Sequence, residues 1–124
     1  MTVNELLKRV DEQKPNAFSV AQKVSWLNDI ETQIQEFLGY DGSRWVVYTD
    51  SDEDRAKELI VDRPYSNVYV AWLKAKIDFD NEEYESYQNN QAQFASEFAS
   101  FKSYALRNGL VSTTIVPDHF KNVW

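Results

Sequence analysis

Residue types that enzymes commonly use are scarce in this sequence. It contains no cysteine, three glycines and a single histidine, His119. Without cysteine the chain has no disulfide bond, no thiolate nucleophile and no cysteine metal ligand. Three scattered glycines do not make a phosphate-binding loop, and one histidine would have to carry any triad or zinc site alone. We therefore predict no catalytic, cofactor-binding or metal-binding residues, and we expect His119 at a surface or an interface.

Neither a long apolar run nor the pattern of a secretory signal is visible in the sequence. The longest apolar stretches, such as residues 45–48, have only a few residues, whereas a membrane-spanning helix needs about 20. The first five residues, MTVNE, have neither the basic flank nor the apolar core of a signal peptide. We expect a protein that does not enter a membrane and that resides in a cytoplasm.

Basic residues are absent from one long stretch of the chain. Between Ile77 and Phe101 the sequence has six acidic residues and no lysine or arginine, and the whole chain carries a net charge of −7. Such a surface repels the phosphates of a nucleic acid. A nucleic-acid-binding groove is therefore not expected.

Size and composition indicate one folded domain. The chain has 124 residues, of which 43% are apolar and 27% charged. A chain of this length buries about two thirds of its unfolded surface, and this composition is typical of globular proteins. We therefore expect residues 1–124 to form a single domain.

Two capping signals predict a pair of N-terminal helices within residues 3–38. Thr2 followed by Glu5 forms a capping box, and apolar residues at helical spacing follow it. Ser19 opens a second apolar stripe of about 20 residues, which stops before Gly39. Both segments are expected to be amphipathic helices.

Residues 39–64 have the composition of a loop that carries short strands. Glycine and serine come first, residues 45–49 are β-branched and aromatic, and residues 59–61 form another apolar run. These features predict two short strands or one β-hairpin.

The acidic turn within this segment resembles the start of a calcium-binding loop. Asp50, Asp52 and Asp54 alternate as calcium ligands do, but Arg55 stands where the loop needs glycine and Val61 where it needs glutamate. We predict a solvated acidic turn.

Residues 65–108 are expected to be a long helical region. Pro64 suits a helix start, and Asn108-Gly109 suits a helix end. Apolar and aromatic residues recur at alternating spacings of three and four, but Asp80 and Gln91 interrupt this seam. They predict either a break near residue 80 or a polar neighbour for the middle of the helix. Residues 109–124 are expected to form a C-terminal tail.

The predicted fold is thus mainly α: a small helical bundle of two N-terminal helices and a long C-terminal helical region, with a loop or short β-hairpin inserted around residues 44–61.

Aromatic residues mark both the expected core and a candidate interface. Tryptophan and tyrosine are enriched at protein interfaces. Trp26 and Trp72 lie near apolar stripes and are expected in the core. So is the aromatic series Tyr84, Tyr87, Phe94, Phe98 and Phe101. The candidate interface residues, which fall in the loop and the tail, are Trp45, Tyr48, Phe120 and Trp124.

Three segments resemble a known family. They are KPNAFS between the first two helices, RPYSNVY before the long helical region, and AKIDFDNEEYESYQNN within it. With their surroundings they cover most of residues 1–105, and they resemble small head-tail connector proteins of tailed bacteriophages and of the prophages that many Gram-positive bacteria carry. The chain departs from the family pattern at Ser66-Asn67, where an acidic pair is usual, and near Glu82 and Glu83, where a glycine is usual. Without that glycine, a continuous helix through residue 80 is favoured more in this chain than in its relatives.

The resemblance implies a structural virion protein without catalytic activity. Copies would assemble as a ring beneath the portal vertex, join the capsid to the tail and help to retain the genome. The expected partners are other copies of the chain, the portal protein and a tail or head-closure protein, with DNA contacted only as it passes. The expected location is the head-tail junction of the virion, and the host cytoplasm during assembly. Glu82, Glu83 and Glu85 are expected to face the channel, where negative charge lets DNA slide past without binding.

Three other classes of function remain open. A helical adaptor that binds some other protein would have the same composition. A DNA-binding prophage regulator would need a basic recognition helix, which the sequence does not offer. A small hydrolase would need a nucleophile and a base, and no pair stands out.

Overall fold

The structure, a computed structural model, describes residues 1–112 and is mainly helical over that range. A short 3-10 helix spans Gly42–Arg44. The described residues form five α-helices: α1 (Val3–Gln13), α2 (Val20–Leu38), α3 (Asp52–Arg55), α4 (Asn67–Asp80) and α5 (Tyr84–Arg107). The predicted mainly α bundle is confirmed. Residues 113–124, which include His119, Phe120 and Trp124, lie outside the described residues.

The two N-terminal helices begin and end where their capping signals predict. The Thr2 hydroxyl accepts the backbone N–H of Glu5 at 3.1 Å, and the Ser19 hydroxyl accepts that of Gln22 at 3.0 Å. Gly39 ends α2 in the left-handed conformation, with φ 79°, and its N–H reaches the last carbonyls of the helix. These local predictions are confirmed to within one residue.

The segment between α2 and α4 contains no β-hairpin. Residues 1–112 include no strand, and their one isolated bridge joins Thr2 to Glu58. Residues 46 and 48, in the part predicted as a strand, pair with side chains of α2 instead of with another strand. The prediction of a short β-hairpin around residues 44–61 is therefore wrong, and the loop alternative holds.

Helices α4 and α5 form an antiparallel hairpin. Asn67 at the start of α4 donates to Glu97, whereas Asp78 near its end accepts from Ser86 and Asn90. Of the two alternatives predicted for the middle of this region, the structure has the break near residue 80, between the end of α4 at Asp80 and the start of α5 at Tyr84. The continuous helix that the missing glycine favoured does not form, because Glu82 itself takes a left-handed conformation, with φ 59°. Helix α4 also begins three residues later than Pro64.

The core surrounds α4, which packs against α5 on one side and against α1 and α2 on the other. Apolar residues are spread around α4 instead of forming one stripe, because nearly every face of this helix is covered. The buried apolar residues of α4 are Val68, Tyr69, Val70, Ala71, Trp72, Leu73, Ala75 and Ile77. Trp26 and Trp72 are buried as predicted, and the Trp72 indole N–H donates to the Trp26 carbonyl at 2.8 Å. None of the helices in residues 1–112 has the length and apolar character to cross a membrane.

Candidate interaction surfaces and buried carboxylates

One face of α2 holds the loop that follows it. Asn28 donates to the carbonyl of Tyr48 at 2.8 Å and accepts its N–H at 2.9 Å. Gln35 makes the same pair of bonds with Val46, at 2.9 and 2.6 Å. A side-chain amide offers both an N–H donor and a C=O acceptor, so two amides seven residues apart on a helix replace a partner strand.

Glu31, between these two amides, is fully buried and accepts three hydrogen bonds. Its donors are the Tyr48 hydroxyl at 2.8 Å, the Tyr69 hydroxyl at 2.5 Å and the Ile60 N–H at 3.2 Å. Burial raises the pKa of Glu31, and the three hydrogen bonds oppose that rise without cancelling it. With no exposed oxygen, this carboxylate joins the loop to α2 and α4.

Tyr48 belongs to this buried network and not to the surface. It is 2% exposed, and burial together with the neighbouring Glu31 raises its pKa. Its prediction as an interface residue is therefore corrected: the hydroxyl that would suit a wet interface is used inside the subunit.

A second buried carboxylate, Asp78, ties α1 to the α4–α5 hairpin. One of its oxygens forms an ion pair with Lys14, and the other accepts from Ser86 at 2.7 Å and Asn90 at 2.6 Å. Burial alone would raise the pKa of Asp78, but the bonds from these three groups outweigh it and the pKa is lowered. Bonding to Asp78 in turn raises the pKa of Lys14, which also contacts Glu83 at 3.4 Å.

The acidic turn of residues 50–54 is held together by its own side chains. Asp54 accepts the N–H and the hydroxyl of Thr49, at 2.6 and 2.7 Å, and Lys57 lies 2.8 Å away. Lys57 and Thr49 lower the pKa of Asp54 to about 2. Asp52 pairs with Arg55. Within residues 1–112, no group of three acidic or histidine side chains is arranged to hold a metal ion.

Trp45 and Val47 expose apolar surface on the outer side of the loop. Trp45 is 40% exposed and Val47 is 64% exposed. The backbone N–H and C=O of Val47 have no hydrogen-bond partner among the described residues, since the bonds to α2 come from residues 46 and 48. Trp45 therefore lies where its prediction as an interface residue requires, and the corresponding predictions for Phe120 and Trp124 fall outside the described residues.

The turn between α4 and α5, with its flanking residues 79–85, forms an exposed surface that we call the hairpin tip. Glu82, Glu83 and Glu85 are exposed there, and their position facing a channel stays a prediction. Phe79 and Tyr84 are 53% and 55% exposed, with ring centroids 6.3 Å apart. The expectation that Tyr84 lies in the core is corrected: Tyr84 is the first residue of α5, and its ring packs against the exposed Phe79 ring at the tip. Phe94 and Phe101, from the same series, are buried as expected.

A cleft at the other end of α5 was not anticipated from the sequence. Tyr40, Tyr65 and Tyr104 line it, so we call it the tyrosine cleft, and its volume is about 400 Å³. Arg44 and Arg63 also line it, and the Arg44 guanidinium lies 4.1 Å from the centre of the Tyr40 ring. The lining side chains come from distant parts of the chain, which is why no local sequence pattern indicates the cleft.

Comparison of the chain with protein-family models, with curated proteins and with solved structures finds no match. Its function therefore has to be argued from its own residues.

Proposed function

We propose that this protein is a structural subunit of a bacteriophage or prophage head-tail connector. Copies form a ring at the portal vertex, at the head-tail junction of the virion. The partners are neighbouring copies, the portal protein and a tail or head-closure protein. The protein performs no bond-making step. Support comes from the family resemblance of residues 1–105 and from the distribution of exposed apolar surface on the subunit.

The observation that carries the proposal is the presence of different apolar surfaces at the two ends of α5. Phe79 and Tyr84 are exposed at one end, and Leu106 and Leu110, 62% and 48% exposed, lie at the other. Tyr84 and Leu106 are 22 residues apart, which is about 33 Å along a helix. A ring needs a heterologous contact, in which one surface meets a different surface of the next copy. A subunit with unlike apolar ends fits that requirement.

The buried carboxylates agree with a structural role. Glu31 and Asp78 are the buried acids of residues 1–112, and each is held by donors from other parts of the same chain. Neither presents an oxygen to solvent, so neither resembles a general base waiting for a substrate. Their bonds instead fix how the loop, α1 and the α4–α5 hairpin sit together.

The experiment is a mass measurement in solution, with and without the portal protein of the same phage genome. Light scattering behind a sizing column should give a small species for the chain alone. With the portal, it should give a complex that contains a ring of copies. A weak lateral contact is strengthened when a template holds the copies side by side. No binding to the portal, together with absence of the chain from assembled particles, would contradict the proposal.

The Trp45 surface supplies a matched pair of variants for the same measurement. Trp45→Ala removes exposed aromatic area, and we expect it to weaken portal or neighbour binding at least tenfold if that surface is covered in the assembly. Val20→Ala, which trims a side chain 37% exposed on α2, is the control and should bind normally. Equal binding by the two variants would show that the Trp45 surface is not part of the interface.

A further inference from the structure

We propose that the hairpin tip of one copy docks into the tyrosine cleft of the next copy. This inference deepens the proposed function, on which it rests for the ring, by naming the two surfaces that meet.

The tip combines exposed rings with carboxylates that lack partners. The Phe79 ring packs against the rings of Tyr84 and Tyr87, with ring centroids 6.3 and 5.3 Å away. Within residues 1–112, Asp80, Glu82 and Glu85 form no ion pair; only Glu83 is shared with Lys14. An apolar pair surrounded by free carboxylates fits a partner that offers an apolar hollow bordered by cations.

The tyrosine cleft has those properties. Its walls are aromatic, and its volume of about 400 Å³ is within the range of hollows that enclose a small ligand, so it can receive an aromatic side chain. In the described part of the chain, neither Arg44 nor Arg63 forms an ion pair. Arginine is the cation best suited to carboxylates at interfaces.

The acids around the cleft do not cancel its excess of positive charge. Asp62 lines the cleft, and Asp41 interacts electrostatically with Arg44. Lys102 and Arg107, on the last turns of α5, add two further cations at this end of the helix. The tip has an excess of carboxylates and the cleft end has an excess of cations, so the two surfaces are complementary in charge.

A subunit cannot fill its own cleft with its own tip. Tyr84 and Tyr104 are 20 residues apart on one unbroken helix, which separates them by about 30 Å. The contact must therefore join two copies, and it is heterologous because the tip and the cleft are different surfaces. Such a contact closes into a ring when the rotation between copies permits it.

This assignment competes with the prediction that Glu82, Glu83 and Glu85 face a DNA channel. Carboxylates that face a channel need only hydration, and nothing in that role requires Phe79 and Tyr84 to be exposed beside them. A docked tip uses both the rings and the charges, so the exposed rings favour the neighbour over the channel.

A charge-swap experiment tests the contact with full-length protein. The tip variant carries Glu82→Lys and Glu85→Lys, and the cleft variant carries Arg44→Glu and Arg63→Glu. We expect each variant alone to self-associate at least tenfold more weakly than the wild type, by sedimentation at low salt. A mixture of the two should recover association, since each tip then faces a cleft of opposite charge.

The control for net charge carries Asp29→Lys and Glu53→Lys, two exposed acids that belong to neither surface. It changes the total charge by as much as the tip variant does, but it should not weaken association. Association of the tip and cleft variants at the level of this control would overturn the proposal. So would a mixture that stays as weak as its components.

A disulfide experiment gives a second test that does not depend on strong association. The chain has no cysteine, so a cysteine pair reports only on the positions chosen. Glu82→Cys mixed with Arg63→Cys should form a heterodimeric disulfide under mild oxidation, several-fold more than Glu82→Cys mixed with the exposed control Ser25→Cys. Equal yields would overturn the proposal. If the yields are equal but the chain binds the portal, the proposed function stands without this contact. If the disulfide forms but the portal is not bound, the contact stands and the proposed function fails.

Discussion

Acidic side chains are buried in one region of this molecule and exposed in another. Glu31 and Asp78 are fully buried, and donors from other elements of the same chain surround them. At the hairpin tip, Asp80, Glu82 and Glu85 are exposed and have no ion-pair partner in residues 1–112.

The difference separates carboxylates that organise the subunit from those that are free to contact something else. A buried carboxylate is costly unless hydrogen bonds replace its water, so its donors and their positions become fixed. An exposed carboxylate has no such requirement, and its contribution to folding is small. Substitutions should therefore change stability in the first region and association in the second.

The largest effect is expected from Glu31→Ala. The variant leaves the Tyr69 hydroxyl and the Ile60 N–H buried without an acceptor, and it should lower the free energy of unfolding by about 3 kcal/mol. Urea titration followed by circular dichroism measures the change. Glu36→Ala, at an exposed position on the same helix, is the control and should stay within about 0.5 kcal/mol of the wild type. An equal loss of unfolding free energy in both variants would show that the hydrogen bonds of Glu31 do not stabilise the fold.

Asp78→Ala is expected to cost somewhat less, about 2 kcal/mol. It removes the acceptor of Ser86 and Asn90 and the counter-ion of Lys14, but the Lys14 side chain remains 20% exposed and can recover hydration. Asp80→Ala, two residues further along and exposed, is the matched control and should be nearly neutral. If Asp78→Ala and Asp80→Ala unfold at the same denaturant concentration, the stabilising role of Asp78 is contradicted.

The helices could be predicted because their signals are local. Thr2, Ser19 and Gly39 act within a few residues, through hydrogen bonds that any helix end requires. The β-hairpin prediction failed because residues 45–49 have strand composition, but their partners are the amides of Asn28 and Gln35 on a helix. Composition describes a segment that suits an extended backbone and does not reveal what pairs with it.

The candidate surfaces were only partly predictable, for a related reason. Asp80 and Gln91 in the seam predicted either a break or a polar neighbour, but they did not predict that Tyr84 is exposed while Asp78 is buried. The tyrosine cleft gathers Tyr40, Tyr65 and Tyr104 from three distant places in the chain. Only the packing of α5 beside the loop brings these rings together, and a single sequence carries no mark of that packing.

The two buried acids should also respond differently to pH. The pKa of Glu31 is raised above 4.5, so the folded protein binds a proton more readily there than the unfolded chain does. Its contribution to stability is full below the unfolded pKa and is lost as the pH rises through the folded pKa. The pKa of Asp78 is lowered below 3.8, so its contribution is present above that value and is lost as the pH falls through the folded pKa.

Unfolding measured at several pH values tests the Glu31 prediction. Between about pH 7 and pH 4.5, the wild type should gain stability relative to Glu31→Gln, which keeps one acceptor oxygen but cannot titrate. Each unit by which the pKa is raised corresponds to about 1.4 kcal/mol. Parallel pH profiles for the two proteins would show that burial does not perturb Glu31.

The smallest effect concerns the backbone of the tip. Glu82 has a φ of 59°, a left-handed conformation that costs a residue with a side chain about 1 kcal/mol and costs glycine almost nothing. Glu82→Gly should therefore raise the free energy of unfolding by about 0.5 kcal/mol, after the greater flexibility of glycine in the unfolded chain is subtracted. Glu85→Gly, in the first turn of α5, should do the opposite, because glycine weakens a helix by up to about 1 kcal/mol. Both variants remove one exposed carboxylate from the tip, so a difference between their unfolding curves isolates the conformation of residue 82 from its charge.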